Sequence, residues 1–240
     1  MRTVIFDLDG TLADTSGDLI AAANSCFRAL GHGNVLDAQG DRATAVRGGR
    51  AMLALGFERL FGAAEESEID AQFPHLLRAY GENIDRFTMV YPEVRETLRR
   101  LEEVGYRLGV CTNKPEGLAD TLLRRLGLRA HFRALIGADT LPTRKPDAAP
   151  LLAAIAQSGG SAGRALLIGD TITDRDCARA AGVPCALVTF GPTGDAVADL
   201  APDALLDHYV NLPALVARMI GRDLTPGRGR SRVTPGTRVR

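Results

Sequence analysis

The residues best suited to chemistry in this 240-residue chain are acids that stand directly after short apolar runs. In the stretch VIFDLDGTL, Asp7 and Asp9 follow such a run, and Asp170 follows ALLIG in the same way. Acids at the end of a buried strand cost free energy unless they gain a partner there. A hydroxyl and an ammonium group hold comparable places, since Thr112 follows RLGVC and Lys145 stands just before a predicted helix.

Carboxylates, a hydroxyl and a lysine at one edge of a sheet would suit phosphoryl chemistry. Crowded carboxylates repel each other, which raises their pKa values unless a cation neutralises them. Oxygen ligands without histidine or thiolate favour Mg²⁺, and a lysine and a hydroxyl beside the metal would hold phosphate oxygens. Asp7 can then act as a nucleophile that forms an aspartyl phosphate. Asp9 can protonate the leaving oxygen and later activate water.

The elements that must position these groups are short, nearly continuous apolar runs bounded by turn residues. Such runs are typical of parallel strands covered on both faces. Helical patterns alternate with the later runs, which predicts a doubly wound, Rossmann-like α/β core with a parallel sheet. Ligands bind outside the carboxyl ends of the strands in such sheets, so the candidate residues should converge there. The predicted strands are 3–6, 107–111, 134–136, 165–168, 185–189 and 204–206.

The segment 14–90 does not share this alternation. It has helical periodicity in three stretches and no convincing strand. We therefore expect an inserted α-helical cap domain at 14–90, and an α/β core formed by residues 1–13 and 91–220. The segment 221–240 is rich in Gly, Pro and Arg and cannot bury an apolar face, so we expect a disordered basic tail there.

Charge and composition exclude several classes of protein. Six of the 29 basic residues but one of the 29 acidic residues lie in 221–240, so residues 1–220 carry a net charge of −5 and no nucleic-acid-binding signature. No apolar run approaches a membrane span, and the acids near the N-terminus do not fit a signal peptide. The four cysteines lack C-x-x-C spacing, as is typical of free thiols in a reducing compartment. We expect a cytoplasmic monomer or homodimer that binds neither nucleic acid nor membranes.

The order of the motifs resembles the haloacid dehalogenase superfamily. D-x-D-G-T follows the first predicted strand, and Thr112, Lys145 and a late G-D-x-x-x-D come after it in that order. The resemblance covers essentially residues 1–220 and implies a phosphatase with Mg²⁺ as cofactor and a small phosphorylated metabolite as substrate. It implies that Asp7 is the nucleophile and a metal ligand. It also implies that Asp9 is the general acid and base and gives the metal its backbone carbonyl.

The same resemblance assigns the other residues around the phosphoryl group. Thr112 and Lys145 would bind phosphate, and Asp170 would complete the Mg²⁺ site. Asp174 would orient Lys145 or a metal-bound water, although an acid at the start of a helix also serves as a cap. Asn113 would bind substrate or close a turn.

Longer matches narrow the resemblance. The stretches VYPEV, VCTNKP, RKPDAAPLL, GDTITDRDCARAAG, VTFGPTG and DHYVNLPALV together resemble bacterial phosphoglycolate phosphatases. The loop that selects the substrate in that group falls at VRGGRAML, which would place Arg47, Gly48, Gly49 and Arg50 at the substrate. A guanidinium pairs with a carboxylate through two hydrogen bonds, so either arginine can meet the carboxylate of 2-phosphoglycolate. Either can equally end a helix in solvent.

Other activities would use the same residues. One alternative is another small-metabolite phosphatase of the superfamily, acting on a sugar phosphate, N-acetylmuramic acid 6-phosphate or pyrophosphate. A second is a β-phosphoglucomutase-type phosphomutase, in which a sugar instead of water takes the phosphoryl group. The non-enzymatic alternative is a phospho-receiver or binding domain. A receiver domain would be about half this length and would not carry its phospho-acceptor on the first strand.

Overall fold

The core of the protein is a six-stranded parallel sheet, seen in a computed structural model that describes residues 1–221. The order of the strands across the sheet is β5-β4-β1-β6-β7-β8, and a separate pair is formed by β2 and β3. The chain leaves the central strand β1 towards β4 and β5, and then returns to the other side of β1 with β6. The strands are β1 (Thr3–Phe6), β2 (Ala13–Asp14), β3 (Met89–Val90), β4 (Arg107–Cys111), β5 (Ala134–Ile136), β6 (Ala165–Gly169), β7 (Cys185–Val188) and β8 (Ala204–Leu206).

Helices cover both faces of the sheet, which confirms the predicted doubly wound α/β fold. Side chains alternate along β1, so Val4 and Phe6 pack in one apolar cluster with Leu98, whereas Ile5 packs in another with Leu151. Burial on both faces explains why the strands read as continuous apolar runs. The helices are α1 (Ser16–Ala29), α2 (Arg42–Ala45), α3 (Gly49–Phe61), α4 (Glu66–Glu82), α5 (Val94–Glu103), α6 (Glu116–Arg125), α7 (Ala148–Gln157), α8 (Ile172–Ala181) and α9 (Leu212–Ile220).

The segment between β1 and α5 contains α1 to α4 and the two short strands β2 and β3. The prediction that it holds no strand is wrong, because β2 pairs antiparallel with β3 where the chain enters and leaves the helical part. Two-residue strands are too short to give a periodic pattern. Asp18 stabilises the returning segment, since its carboxylate accepts hydrogen bonds from the Phe87 backbone N–H (3.0 Å) and the Thr88 hydroxyl (2.7 Å).

Some predicted boundaries differ from the structure for identifiable reasons. The sequence has a helical pattern at 174–181, but the helix begins two residues earlier, at Ile172, because Thr171 caps it. A second helical pattern, at 93–103, begins as a helix at Val94, since Glu93 has a left-handed φ of 66°. The tail predicted for 221–240 lies outside the described residues, apart from Gly221. Within residues 1–221, no helix is both long and apolar enough to cross a membrane.

Candidate active site

Three neighbouring strands end at the same point of the sheet and deliver candidate residues to it. Asp7, Thr112 and Asp170 directly follow β1, β4 and β6, which are adjacent in the order β4-β1-β6. The ladder hydrogen bonds continue past the strand ends, since Asp7 N donates to the Ile168 carbonyl (2.8 Å) and Thr112 N donates to the Ile136 carbonyl (2.9 Å). The backbone of Asp7 and Thr112 therefore belongs to the hydrogen-bonded ladder of the sheet. This point, where the chain reverses direction across the sheet, is where open α/β sheets bind ligands.

Lys145 lies in the loop after β5 and contacts two of the acids. Its Nζ lies 2.6 Å from Asp174 Oδ1 and 3.0 Å from Asp7 Oδ1, and the side chain is buried. The contact with Asp174 is a hydrogen bond, whereas the contact with Asp7 is an ion pair without hydrogen-bond geometry. Burial alone would lower the pKa of Lys145, but the charges of Asp174 and Asp7 outweigh it and raise that pKa well above its usual value. Lys145 is therefore a charged ammonium group beside the Asp7 carboxylate.

Asp174 makes both of the contacts that the sequence left as alternatives. Its Oδ1 accepts from Lys145, and its Oδ2 accepts from the Thr171 backbone N–H (3.1 Å) and hydroxyl (2.8 Å), as the third residue of α8 in a capping box. Asp170 N also points at this oxygen, at 3.3 Å. Both carboxylate oxygens of Asp174 are thus already used within the protein.

Two buried carboxylate oxygens remain without a hydrogen bond within residues 1–221. They are Asp7 Oδ1 and Asp170 Oδ2, and oxygens of Asp7, Asp170 and Asp174 lie within 4.8 Å of one another. Burial raises the pKa of Asp7 to about 6, despite the opposing charge of Lys145. Burial, together with the charges of Asp174 and Asp7, raises the pKa of Asp170 well above its usual value. Excess negative charge on oxygen-only donors fits a hard divalent cation such as Mg²⁺.

The loop after β1 is shaped around Asp170. Gly10 has a φ of +77°, and a Cβ atom at this position would lie 2.1 Å from Asp170 Oδ2, so only glycine fits. The Thr11 hydroxyl donates to Asp170 Oδ1 at 3.1 Å, and the Tyr209 hydroxyl donates to the Thr11 carbonyl at 2.9 Å. Sequence reasoning assigned no role to Thr11 or Tyr209, although Thr11 is the last letter of the D-x-D-G-T motif.

Asp9 faces a different set of partners from Asp7. Its carboxylate accepts from the Thr15 hydroxyl at 2.6 Å and from Lys114 Nζ at 2.7 and 2.9 Å. Lys114 also lies over the Tyr80 ring of α4, 4.4 Å from its centroid. Burial alone would lower the pKa of Lys114, but Asp9 and the nearby Tyr80 raise it. Lys114 was missed as a site residue, although it lies in the stretch VCTNKP two residues after Thr112, because its partners come from distant parts of the chain.

A cavity of about 520 Å³ lies between the strand ends and the segment that contains α1 to α4, which we call the helical segment. Its lining includes Asp7, Asp9, Thr112 and Lys145 from the core side. Each of the predicted substrate-loop residues also lines it, together with Asn113 and Tyr80; these loop residues are Arg47, Gly48, Gly49 and Arg50. The structure therefore brings together at one cavity the residues predicted to bind phosphate and those predicted to bind the rest of the substrate.

Two of the predicted binding residues already have partners inside the protein. Arg50 binds Glu66 Oε2 at 2.5 Å and Asp70 Oδ1 at 2.7 Å, and its guanidinium lies over the Phe73 ring. Its guanidinium is therefore paired with two exposed acids of the helical segment. Asn113 donates its side-chain N–H to the Lys145 carbonyl at 3.0 Å, which links the loop after β4 to the loop that carries Lys145.

Comparison with known protein families gives the geometry a context. A family model described as haloacid dehalogenase-like hydrolase matches residues 4–188, from β1 to the end of β7, and so includes every predicted site residue. The chain belongs to the haloacid dehalogenase-like hydrolase family. The resemblance read from the motif order is confirmed, and membership of a hydrolase family sets aside the receiver-domain alternative.

The similarity to individual members of the haloacid dehalogenase-like hydrolases extends over nearly the whole chain. A protein of Mesorhizobium japonicum named phosphoglycolate phosphatase is 39% identical over 223 residues, covering 91% of this chain and 96% of the relative. Another of the same name from Agrobacterium fabrum is 38% identical over 220 residues, covering 91% and 94%. A crystal structure from Haemophilus somnus, titled a predicted phosphoglycolate phosphatase, superposes with a TM-score of 0.76 at 25% identity, covering 90% of this chain and 97% of that one.

Proposed function

We propose that this chain is a Mg²⁺-dependent phosphatase that hydrolyses 2-phosphoglycolate to glycolate and phosphate. The observation that carries the proposal is the contact of Asp7 with Lys145 at 3.0 Å, on the floor of the cavity and next to Asp170. A nucleophilic carboxylate and a fixed ammonium group side by side suit a phosphoryl group and little else. The names of the relatives from Mesorhizobium and Agrobacterium support the choice of substrate.

Thr112 and Lys145 bind the phosphoryl oxygens in this mechanism. The Thr112 hydroxyl oxygen accepts from Lys114 N at 3.2 Å, so its own proton is free to be donated to a phosphate oxygen. Lys145 is held in place by Asp174 and Asp7, and it carries positive charge to the equatorial oxygens without reorganising. Phosphoryl transfer depends chiefly on such positioning and charge stabilisation.

The reaction takes place in two steps at one phosphorus atom. A carboxylate oxygen of Asp7 attacks phosphorus, an O–P bond forms, and the bond to the ester oxygen breaks while Asp9 donates a proton to the departing glycolate. Water then attacks the phosphorus of the aspartyl phosphate, with Asp9 taking its proton, and the Asp7 carboxylate leaves with both its electrons. The second step frees Asp7 from the phosphoryl group and returns the proton to Asp9. Asp9 thus serves first as acid and then as base.

The carboxylates of Asp7 and Asp170, with the Asp9 backbone carbonyl, are the proposed Mg²⁺ ligands. Bound there, Mg²⁺ would neutralise charge on the phosphoryl oxygens. The unbonded Asp7 Oδ1 and Asp170 Oδ2 are suitable donors, whereas the oxygens of Asp174 are occupied by Lys145 and by the start of α8. We therefore assign Asp174 to positioning Lys145.

For the substrate loop, we propose that Arg47 contacts the substrate and that Arg50 shapes the helical segment. Both line the cavity, but Arg50 already binds two carboxylates, Glu66 and Asp70. Gly48 has a φ of +94° and ends the turn before α3, so it lets the loop backbone approach the substrate closely.

A panel of phosphate esters tests the proposal. Purified full-length protein is assayed for released phosphate with Mg²⁺ and with excess EDTA. The panel contains 2-phosphoglycolate, glucose 1-phosphate, glucose 6-phosphate, N-acetylmuramic acid 6-phosphate and pyrophosphate. We expect Mg²⁺-dependent release with the highest kcat/KM for 2-phosphoglycolate. A higher value for another ester would replace the substrate, interconversion of the glucose phosphates would indicate a phosphomutase, and no release from any ester would reject the phosphatase.

The nucleophile has its own variant and control. Asp7→Asn preserves the shape of the side chain and should abolish phosphate release. Asp195→Asn, an equivalent change at an exposed acid after β7, should retain wild-type activity. Turnover by Asp7→Asn would reject Asp7 as the nucleophile.

A further inference from the structure

Lys114 and Tyr80 meet in the cavity from opposite sides. Lys114 comes from the loop after β4 in the core, and Tyr80 comes from α4 in the helical segment. The Lys114 ammonium lies 4.4 Å from the centroid of the Tyr80 ring, and the Lys114 side chain is 8% exposed. Both residues line the cavity that also holds Asp7 and Asp9. The contact lies close to the reacting groups, but the proposed mechanism gives it no task.

Both side chains have hydrogen-bonding capacity to spare. A lysine ammonium has three N–H donors, and the Asp9 oxygens at 2.7 and 2.9 Å account for two of them. The Tyr80 hydroxyl is buried and finds no acceptor for its proton within residues 1–221. A buried donor without an acceptor lowers stability, so an external acceptor at this place would relieve an existing cost.

The position of Lys114 suits one particular part of the substrate. Asp9 must reach the ester oxygen to protonate it, and Lys114 binds the Asp9 carboxylate directly. In 2-phosphoglycolate the carboxylate carbon is two covalent bonds from that ester oxygen. On the leaving-group side of the ester oxygen, the negative group of the substrate that can approach Lys114 is therefore the carboxylate.

Two other cations of the cavity, Lys145 and Arg50, are less suited to this task. Lys145 is engaged by Asp174 and Asp7 on the phosphoryl side, and Arg50 is engaged by Glu66 and Asp70. Both cations are thus already paired with acids, and those acids lie away from the leaving group.

We propose that Lys114 and Tyr80 form the carboxylate-recognition site, in which the ammonium and the phenol each donate one hydrogen bond to the carboxylate of an O-phosphorylated 2-hydroxy acid. The inference rests on the proposed phosphatase function and adds the residues that select the substrate. Because one donor belongs to the core and the other to the helical segment, the site is complete only when the two face each other across the cavity. Specificity then depends on donors that are left unpaired by an ester without the carboxylate.

The test compares two esters that differ in the carboxylate alone. Wild-type protein and Lys114→Met are assayed with 2-phosphoglycolate and with ethyl phosphate, and the ratio of their kcat/KM values is the readout. Loss of Lys114 also frees Asp9, but that effect is common to both esters and cancels in the ratio. We expect the preference for 2-phosphoglycolate to fall on the order of 100-fold in Lys114→Met, as for the loss of a hydrogen bond to a charged group. A ratio that stays within about threefold of the wild-type value would overturn the proposal.

Tyr80→Phe provides a second variant that keeps the ring and removes the unpaired hydroxyl. We expect the ratio to fall about tenfold while the melting temperature stays equal or rises, because the hydroxyl has no partner in the free protein. A lower melting temperature with an unchanged ratio would show a structural role and contradict the proposal. Arg47→Met is the matched comparison: a collapse of the ratio there, but not in Lys114→Met, would assign the carboxylate to the substrate loop instead.

The two proposals can fail separately in this design. If wild-type protein hydrolyses both esters equally well, the assignment of 2-phosphoglycolate fails and the carboxylate site fails with it. If wild-type protein prefers 2-phosphoglycolate and Lys114→Met retains that preference, only the carboxylate site fails. Calorimetric binding of both esters to Asp7→Asn, with and without Lys114→Met, gives the same comparison without turnover, and equal loss of affinity for both esters would again reject the site.

Discussion

Lys145 Nζ donates a hydrogen bond to Asp174 Oδ1 over 2.6 Å, in a part of the core where neither side chain is more than 2% exposed. The pair links the loop after β5 to the first turn of α8, and its lysine reaches Asp7 on the other side. Removing one partner of a buried pair leaves an uncompensated charge, which costs far more than an exposed ion pair contributes. The contact therefore connects the stability of the core with the position of a phosphate-binding group.

The first prediction concerns Asp174. Asp174→Ala should destabilise the protein by about 3–5 kcal/mol, because Lys145 loses its hydrogen-bonded partner and α8 loses its capping box. Asp174→Asn should cause a smaller loss of unfolding free energy. It should still lower kcat, since Lys145 is then drawn towards Asp7. Urea unfolding and steady-state kinetics measure the two effects.

Asp176 on the same helix provides the control for Asp174. Its carboxylate pairs with Arg175 and is 44% exposed, so Asp176→Asn should change stability by less than about 1 kcal/mol. Equal destabilisation by Asp174→Asn and Asp176→Asn would show that the buried pair contributes no more to stability than the exposed one.

The second prediction concerns the close approach of Gly10 to Asp170. Gly10→Ala forces a left-handed backbone on a residue with a Cβ atom and places that atom 2.1 Å from Asp170 Oδ2. Gly31→Ala is a matched control, because Gly31 has a similar φ of +87° with no atom within 4 Å of its added Cβ. We expect Gly31→Ala to cost about 1 kcal/mol from strain alone. Gly10→Ala should cost more and should require more Mg²⁺ for half-maximal activity; identical unfolding curves would contradict the close contact.

A third prediction concerns acid stability in the helical segment. Arg59 binds both carboxylate oxygens of Asp41 at 2.6 Å, and this contact holds the pKa of the buried Asp41 below its usual value. A carboxyl group with a lowered folded-state pKa stabilises the protein above its unfolded-state pKa and loses that effect as the pH falls through the folded-state value. The difference in unfolding free energy between wild type and Asp41→Asn should thus have its largest value near pH 7 and become smaller below about pH 4. A difference that stays constant from pH 7 to pH 3 would exclude this linkage.

The sequence predicted the sheet and its edge because their signals are local. The apolar runs ending at Phe6, Cys111 and Gly169 needed burial on both faces, and the order of the acids and the hydroxyl that follow them favoured a shared site over caps and surface acids. Parallel pairing then placed them together without any knowledge of distances. The family resemblance drawn from their order is confirmed by the match to residues 4–188.

Contacts between distant parts of the chain were not predictable in this way. The stretch VCTNKP does not show that the Lys114 ammonium reaches Asp9 and the Tyr80 ring, since the lysine and its two partners come from three separate parts of the chain. The pairing of Arg50 with Glu66 and Asp70 depends on how α3 packs against α4, so the two arginines of the substrate loop looked equivalent. The strands β2 and β3 were missed because each contains two residues.

The account depends most directly on the covalent role of Asp7. Full-length protein is mixed with 2-phosphoglycolate and Mg²⁺ and quenched in acid during turnover. Borohydride then reduces any aspartyl phosphate to homoserine, and peptide mass spectrometry locates the change. We predict homoserine at residue 7 and none when substrate is omitted or when Asp7→Asn is used. Homoserine at Asp9 or Asp170, or steady turnover with no modified aspartate in the chain, would contradict the account.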